Sequence, residues 1–212
     1  MDRAEVQALI RDERARLLGV LEALRPEQWR TTSRCPRWSV EDVVAHLSAA
    51  ASTGTLAWIA SIVRARFDTD RHNDRLIRRH RGDTPAETLA TFRALVPSRT
   101  APAGAHVAML GEVVVHGQDI VRPLGVELVP DPDAVLEVAR FFASKDFAVN
   151  SRTLVRDLSL AADDAGFAAG SGPAVTGPLL ELTLAMAGRS ESIARLRGPG
   201  VEELGRRIAA AA

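Results

Sequence analysis

Gly111-Glu112-Val113-Val114-Val115-His116-Gly117-Gln118-Asp119-Ile120 is the stretch on which the reading of this 212-residue chain turns. It lies in an apolar segment, His106 to Leu124, whose pattern predicts a helix running into Pro123. Residues four apart on a helix share a face, with Cβ atoms roughly 5–6 Å apart. Glu112 and His116 form such a pair, and Asp119 follows three residues later on nearly the same stripe. Unpaired polar groups on a packing face cost stability, so a carboxylate and an imidazole among valines need an explanation. One reading is a buried Glu–His hydrogen bond that serves only structure. The other is two ligands of a metal, with Asp119 as an orienting or third polar group. A third ligand must then come from elsewhere in the chain.

Working outward, Asp2 to Leu24 carries Val6, Leu9, Ile10, Leu17, Leu18, Leu21 and Leu24 at helical spacing, ended near Pro26. Ser39 and Asp42 open a second helix with a capping-box pattern. That helix carries His46 among Val43, Val44 and Leu47 and continues into 57–67, with a break at Gly54. Asp68 to Arg81 reads as a polar helix with a solvated arginine-rich face. Thr84-Pro85-Ala86-Glu87 signals another start, with a Thr cap, Pro in the first turn and Glu closing a capping box; this helix ends near Pro97. The expected fold class is mainly α: a four-helix-type bundle over residues 1–127, then a small α+β domain over 131–212. The boundary falls at Val129-Pro130-Asp131-Pro132. In the tail, Asp131 caps a helix to about Phe147. Partial alternation in Arg152–Ala162 and a return strand in Phe167–Val175 follow, then helices from Thr176 to Arg189 and from Gly200 to Ala212.

Composition narrows the function. Lys+Arg and Asp+Glu both number 27, so no basic field advertises a nucleic-acid partner. No apolar run is long enough to span a bilayer, and the charged N-terminus lacks a signal core. The single cysteine, Cys35, excludes an internal disulfide and fits a reducing compartment, so a cytoplasmic monomer or homodimer is expected. Placed before Pro36 in a loop, Cys35 reads as a structural thiol without a base partner. A catalytic zinc site has three protein ligands and an open position, and helix bundles build such sites from inward side chains on facing helices. His46 can face Glu112 and His116 across the bundle. It can equally be a core histidine bonded to a carbonyl. His72, His80 and His106 are poorer candidates, the first two lying in the polar helix and the third at a helix start.

Two segments then carry a resemblance: Cys35-Pro36-Arg37-Trp38-Ser39-Val40-Glu41-Asp42-Val43-Val44-Ala45-His46-Leu47, and Glu112 to Ile120. Together with Gly177–Arg189, and more weakly Asn73 and Thr84-Pro85, they make the chain resemble the mycothiol-dependent maleylpyruvate isomerase family, within the DinB/YfiT-like metal-binding helical bundles. The resemblance implies His46, Glu112 and His116 as ligands of a divalent metal such as zinc. It also implies mycothiol as thiol cosubstrate and a small electrophilic substrate, undergoing isomerisation or S-transfer. By the same resemblance Arg189 maps to a basic residue that binds an acidic group. Asp119 either orients a ligand imidazole or is an ordinary helix-end residue. A metal-dependent hydrolase and a non-catalytic metal-binding or small-molecule-binding protein are the alternatives.

Overall fold

The computed structural model describes residues 1–64, 68–147 and 149–211, and the chain divides into two compact units, Met1–Pro130 and Asp131–Ala212. The first is helical. Helix α1 spans Arg3–Glu22, α2 Val40–Ser52, α3 Thr55–Arg64, α4 Thr69–His80, α5 Pro85–Leu95 and α6 His106–Leu124. Asp2 caps α1 and Ser39 caps α2, each through a reciprocal capping box, with Glu5 and Asp42 reaching back. Thr84 caps α5, but Glu87 does not close the expected box. Its carboxylate instead accepts from the Asp83 N–H at 2.8 Å, one residue further upstream. The second helix ends at Ser52, and α3 begins after Gly54; the expected extension through Phe67 lies partly outside the described residues.

α1 packs on α6, and α2 packs on α4, α5 and α6. The buried centre of this bundle is Leu17 and Leu21 of α1, Val43 and Leu47 of α2, Phe92 of α5 and Ile120 of α6. Each such side chain contributes about 1.5–3 kcal/mol through burial, so the core fixes how α2 and α6 face each other. Arg14, 2% exposed, donates to the carbonyls of Leu95 and Ser98 at the end of α5, and burial lowers its pKa to about 10. The arginine-rich segment is not wholly solvated: Arg81 pairs with Glu41 at 3.0 Å and with Asp42 at 2.7 Å.

α6 carries Pro123 in its last turn and ends on left-handed Gly125. The chain then returns alongside α6, where the Gln118 amide donates to the Leu128 carbonyl at 2.9 Å. Gly117 makes the approach possible, since a Cβ there would come within 3.0 Å of Leu128 Cδ2.

The second unit contains α7 (Pro132–Ser144), α8 (Ser151–Leu154), β1 (Ser159–Ala162), β2 (Ala168–Gly170), β3 (Ala174–Gly177), α9 (Leu179–Met186) and α10 (Val201–Ala211). Asp131 caps α7, which ends at Ser144, short of the expected Phe147. The last residue expected in the final helix, Ala212, lies outside the described residues. The expected return strand is two strands on opposite edges of β1: β2 pairs antiparallel and β3 parallel, in the order β2-β1-β3. The chain passes from one edge to the other at Gly170-Ser171-Gly172-Pro173. Gly170 and Gly172 adopt φ of 75° and 126° there, and a Cβ on Gly170 would lie 2.2 Å from the Leu158 carbonyl oxygen. Among the described residues no helix is long and apolar enough to cross a membrane.

Candidate metal centre

The helical register predicted for α6 puts Glu112 and His116 on one face, and α2 brings His46 opposite. His46 Nε2 lies 3.0 Å and His116 Nε2 3.3 Å from the same oxygen, Glu112 Oε2. One donor atom from each residue lies within 4.8 Å of the others. Ligands about 2.0–2.1 Å from a tetrahedral zinc are separated by roughly 3.3 Å. Both measured separations fall near that edge length, so the trio fits a zinc-sized cation without large rearrangement. No further His, Cys, Asp or Glu joins this trio among the described residues. The three side chains retain 12–20% exposure, as a site reached from solvent requires.

Asp119 is not a fourth ligand of this trio. Its carboxylate, 1% exposed, bonds the opposite nitrogen of the ring, Nδ1 of His116, at 2.8 Å. That bond fixes the ring's orientation and directs Nε2 toward Glu112, the arrangement by which outer carboxylates tune ligand histidines. Burial opposes charge on His116, but its bonds to Asp119, Cys35 and Glu112 prevail and hold its pKa well above the ordinary value. Burial likewise pushes the Glu112 carboxyl up. Hydrogen bonds from His116 and His46 reverse this and hold it well below the usual carboxylate range. Two carboxylates at one spot call for positive charge. A proton on His116 supplies it, and a metal on Nε2 supplies it equally well.

Cys35 stands in this cluster, contrary to the sequence expectation of a thiol without a partner. Its Sγ donates to Asp119 Oδ2 at 3.3 Å and lies 3.7 Å from His116 Nδ1. A backbone bond to α6 ties the loop that carries Cys35 beside it. Proline at 123 has no N–H, so the Asp119 carbonyl lacks its partner four residues on; the N–H of Arg34 takes that place at 3.0 Å. The loop is closed on itself by Ser33, whose hydroxyl accepts from Cys35 N–H and donates to the Trp38 carbonyl, and by the Thr32–Ser39 bridge. Trp38 thereby covers the centre, its ring 4.9 Å from His46 and 6.3 Å from His116 between centroids. The signal in the sequence was the Asp119/Pro123 spacing.

The remaining candidates lie elsewhere. His80 bonds Ser52 and the Leu76 carbonyl, His72 is buried in α4, and His106 opens α6 with burial and Arg3 lowering its pKa. Arg189 belongs to the second unit, where its guanidinium donates to the Ala187 carbonyl at 2.6 Å.

Residues 10–107 match the profile of the mycothiol maleylpyruvate isomerase N-terminal domain. The match lies within the helical bundle, which is similar to that domain. The matched span includes His46 and stops before Glu112, so the structure has to supply the α6 half of the centre. Two solved structures share the fold over nearly the whole chain, both of the mycothiol-dependent maleylpyruvate isomerase and one of them a point mutant. The mutant superposes with a TM-score of 0.65 at 13% identity, covering 94% of this chain and 93% of that one. The other gives 0.63 at 15% identity, with 89% and 90% covered. No functionally curated protein matches the sequence significantly.

Proposed function

We propose that the chain is a metal-dependent enzyme using a low-molecular-weight thiol, mycothiol, for isomerisation of, or S-transfer to, a small electrophilic substrate. The carrying observation is the convergence of His46, Glu112 and His116; three protein donors would leave a tetrahedral ion one position for the thiol. The similarity of the bundle to the mycothiol maleylpyruvate isomerase N-terminal domain supports the choice of thiol. A divalent ion held by these residues, zinc for preference, would bring a coordinating thiol to its thiolate form near neutral pH. Everything else falls to the chain. Glu112 contributes the charge that retains the cation, His46 and His116 contribute neutral donors, and Asp119 holds the His116 ring by its Nδ1–H. Trp38 shields one side of the centre from water, which strengthens every electrostatic contact inside it. Arg189 is assigned the binding of an anionic group on thiol or substrate.

The test is cobalt substitution followed by titration with mycothiol. A thiolate-to-cobalt absorption band that grows with added mycothiol, in a Cys35→Ser background, is the expected result. No band at saturating thiol rejects the thiol chemistry and leaves a water-using hydrolase or a non-catalytic binder. Arg189→Ala should weaken the thermal shift given by mycothiol while leaving metal content unchanged. An unaltered shift removes Arg189 from the proposal.

A further inference from the structure

Two donor trios share the ring of His116, one on each nitrogen. The Nε2 edge faces His46 and Glu112. On the Nδ1 edge, Asp119 Oδ2 lies at 2.8 Å and Cys35 Sγ at 3.7 Å, with 3.3 Å between Sγ and Oδ2. These three donors also lie within 4.8 Å of one another. Around a tetrahedral ion with sulfur at about 2.3 Å and nitrogen or oxygen at 2.0–2.1 Å, the donor separations are roughly 3.3–3.6 Å. Both sulfur separations fall within a few tenths of an ångström of that range. The short one is the N···O pair, which is closed up by the proton it shares.

We propose that Cys35, Asp119 and the Nδ1 of His116 form a second divalent-cation position, bridged to the first by the His116 ring. This rests on the reading of His46, Glu112 and His116 as the first position. Charge favours the pair. Two divalent ions bring four positive charges. The Glu112 and Asp119 carboxylates, the Cys35 thiolate and the bridging His116 imidazolate bring four negative ones, and His46 stays neutral. A buried cluster that balances internally avoids the penalty of an uncompensated buried charge. Entry of the second ion displaces two protons to solvent, from the Cys35 thiol and from His116 Nδ1. The sulfur donor selects the ion: zinc, cobalt or cadmium suit a thiolate, whereas magnesium and calcium prefer all-oxygen sites. Access comes from the loop side, where Cys35 is only partly buried. With the second position filled, Asp119 changes from orienting His116 through a proton to orienting it through a metal. The position is therefore a point at which a thiophilic ion can retune the first centre.

The experiment uses the full-length chain, reduced with a phosphine and dialysed against cobalt without added thiol. Wild type should bind two ions per chain and show a sulfur-to-cobalt band. Cys35→Ser should bind one ion and lose the band. One ion per chain in wild type, or a band that survives Cys35→Ser, overturns the proposal. A failure of the first position is separately visible, because it would leave Cys35→Ser with no bound ion. A measurement on the unmutated chain guards against a misfolded variant. Alkylation of Cys35 should be unaffected by the first equivalent of cobalt. The second should slow it roughly tenfold once free cobalt reaches ten times its dissociation constant, by mass action. An unchanged rate after the second equivalent also overturns the second position.

Discussion

Glu41 and Glu112 are both inward carboxylates on bundle helices, one opening α2 and the other in the middle of α6, and their partners separate structure from chemistry. Glu41, 3% exposed, accepts from the Arg81 guanidinium at 3.0 Å on one oxygen and from the Thr88 hydroxyl at 2.9 Å on the other. A guanidinium never gives up its proton in a protein, so the countercharge of Glu41 is permanent, and both of its oxygens are engaged. Glu112 faces two imidazoles instead. Their protons are exchangeable, and a metal can take the place of those protons on the same nitrogens. A carboxylate paired with arginine keeps its partner, whereas one paired with histidines faces nitrogens that can exchange a proton for a cation.

The largest expected effect breaks the Glu112 side. His46→Ala, Glu112→Gln and His116→Ala should each reduce zinc from one equivalent to a trace, measured by atomic emission after dialysis in the Cys35→Ser background. The far-UV spectrum should stay helical, because the core of Leu17, Val43, Leu47, Phe92 and Ile120 is untouched. Zinc retained at full stoichiometry in all three variants would refute the metal reading.

Glu41→Gln should do the reverse. Zinc content should be unchanged while the unfolding midpoint in urea falls by the equivalent of about 1–2 kcal/mol, the cost of weakening a charged hydrogen bond whose arginine is partly solvated. If Glu41→Gln lost zinc without losing stability, the distinction between the two carboxylates would collapse.

The same contrast explains what could be read from the sequence. Local signals were sufficient for the mainly helical class. The Ser39–Asp42 capping box, the Asp131 cap, the apolar spacing of Leu17, Leu21, Val43 and Leu47, and the Glu112/His116 register each depend on neighbours a few residues away. His46 was legible as an inward polar residue, but its distance to Glu112 depends on how α2 and α6 pack. Two features resisted. β3 pairs parallel with β1 because glycines at 170 and 172 carry the chain to the other edge, which alternation alone does not reveal. Cys35 reaches Asp119 through a backbone bond across 85 positions of chain, from Arg34 to Asp119, and side-chain pattern carries no trace of it. An unmet carbonyl four residues before a proline is nevertheless a readable signal.

That signal yields the smallest and most specific test. Pro123→Ala supplies α6 with its own N–H for the Asp119 carbonyl, in competition with Arg34 N–H. The metal trio keeps its helices, so zinc binding should remain at one equivalent in the Cys35→Ser, Pro123→Ala double variant. What should change is the hold on the loop that carries Cys35 and Trp38. A carbonyl has two lone pairs and can serve both donors, so the expected loss is no more than one ordinary hydrogen bond, about 1 kcal/mol. That is equivalent to a roughly fivefold change in the loop's open population by the same energy scale. In the metal-free protein with Cys35 present, alkylation should therefore run up to about five times faster in Pro123→Ala than in wild type. Equal rates would show that Ser33 and the Thr32–Ser39 bridge hold the loop without help from Arg34. Cys35 would then owe its place beside Asp119 to the loop's internal closure and not to the vacancy in α6.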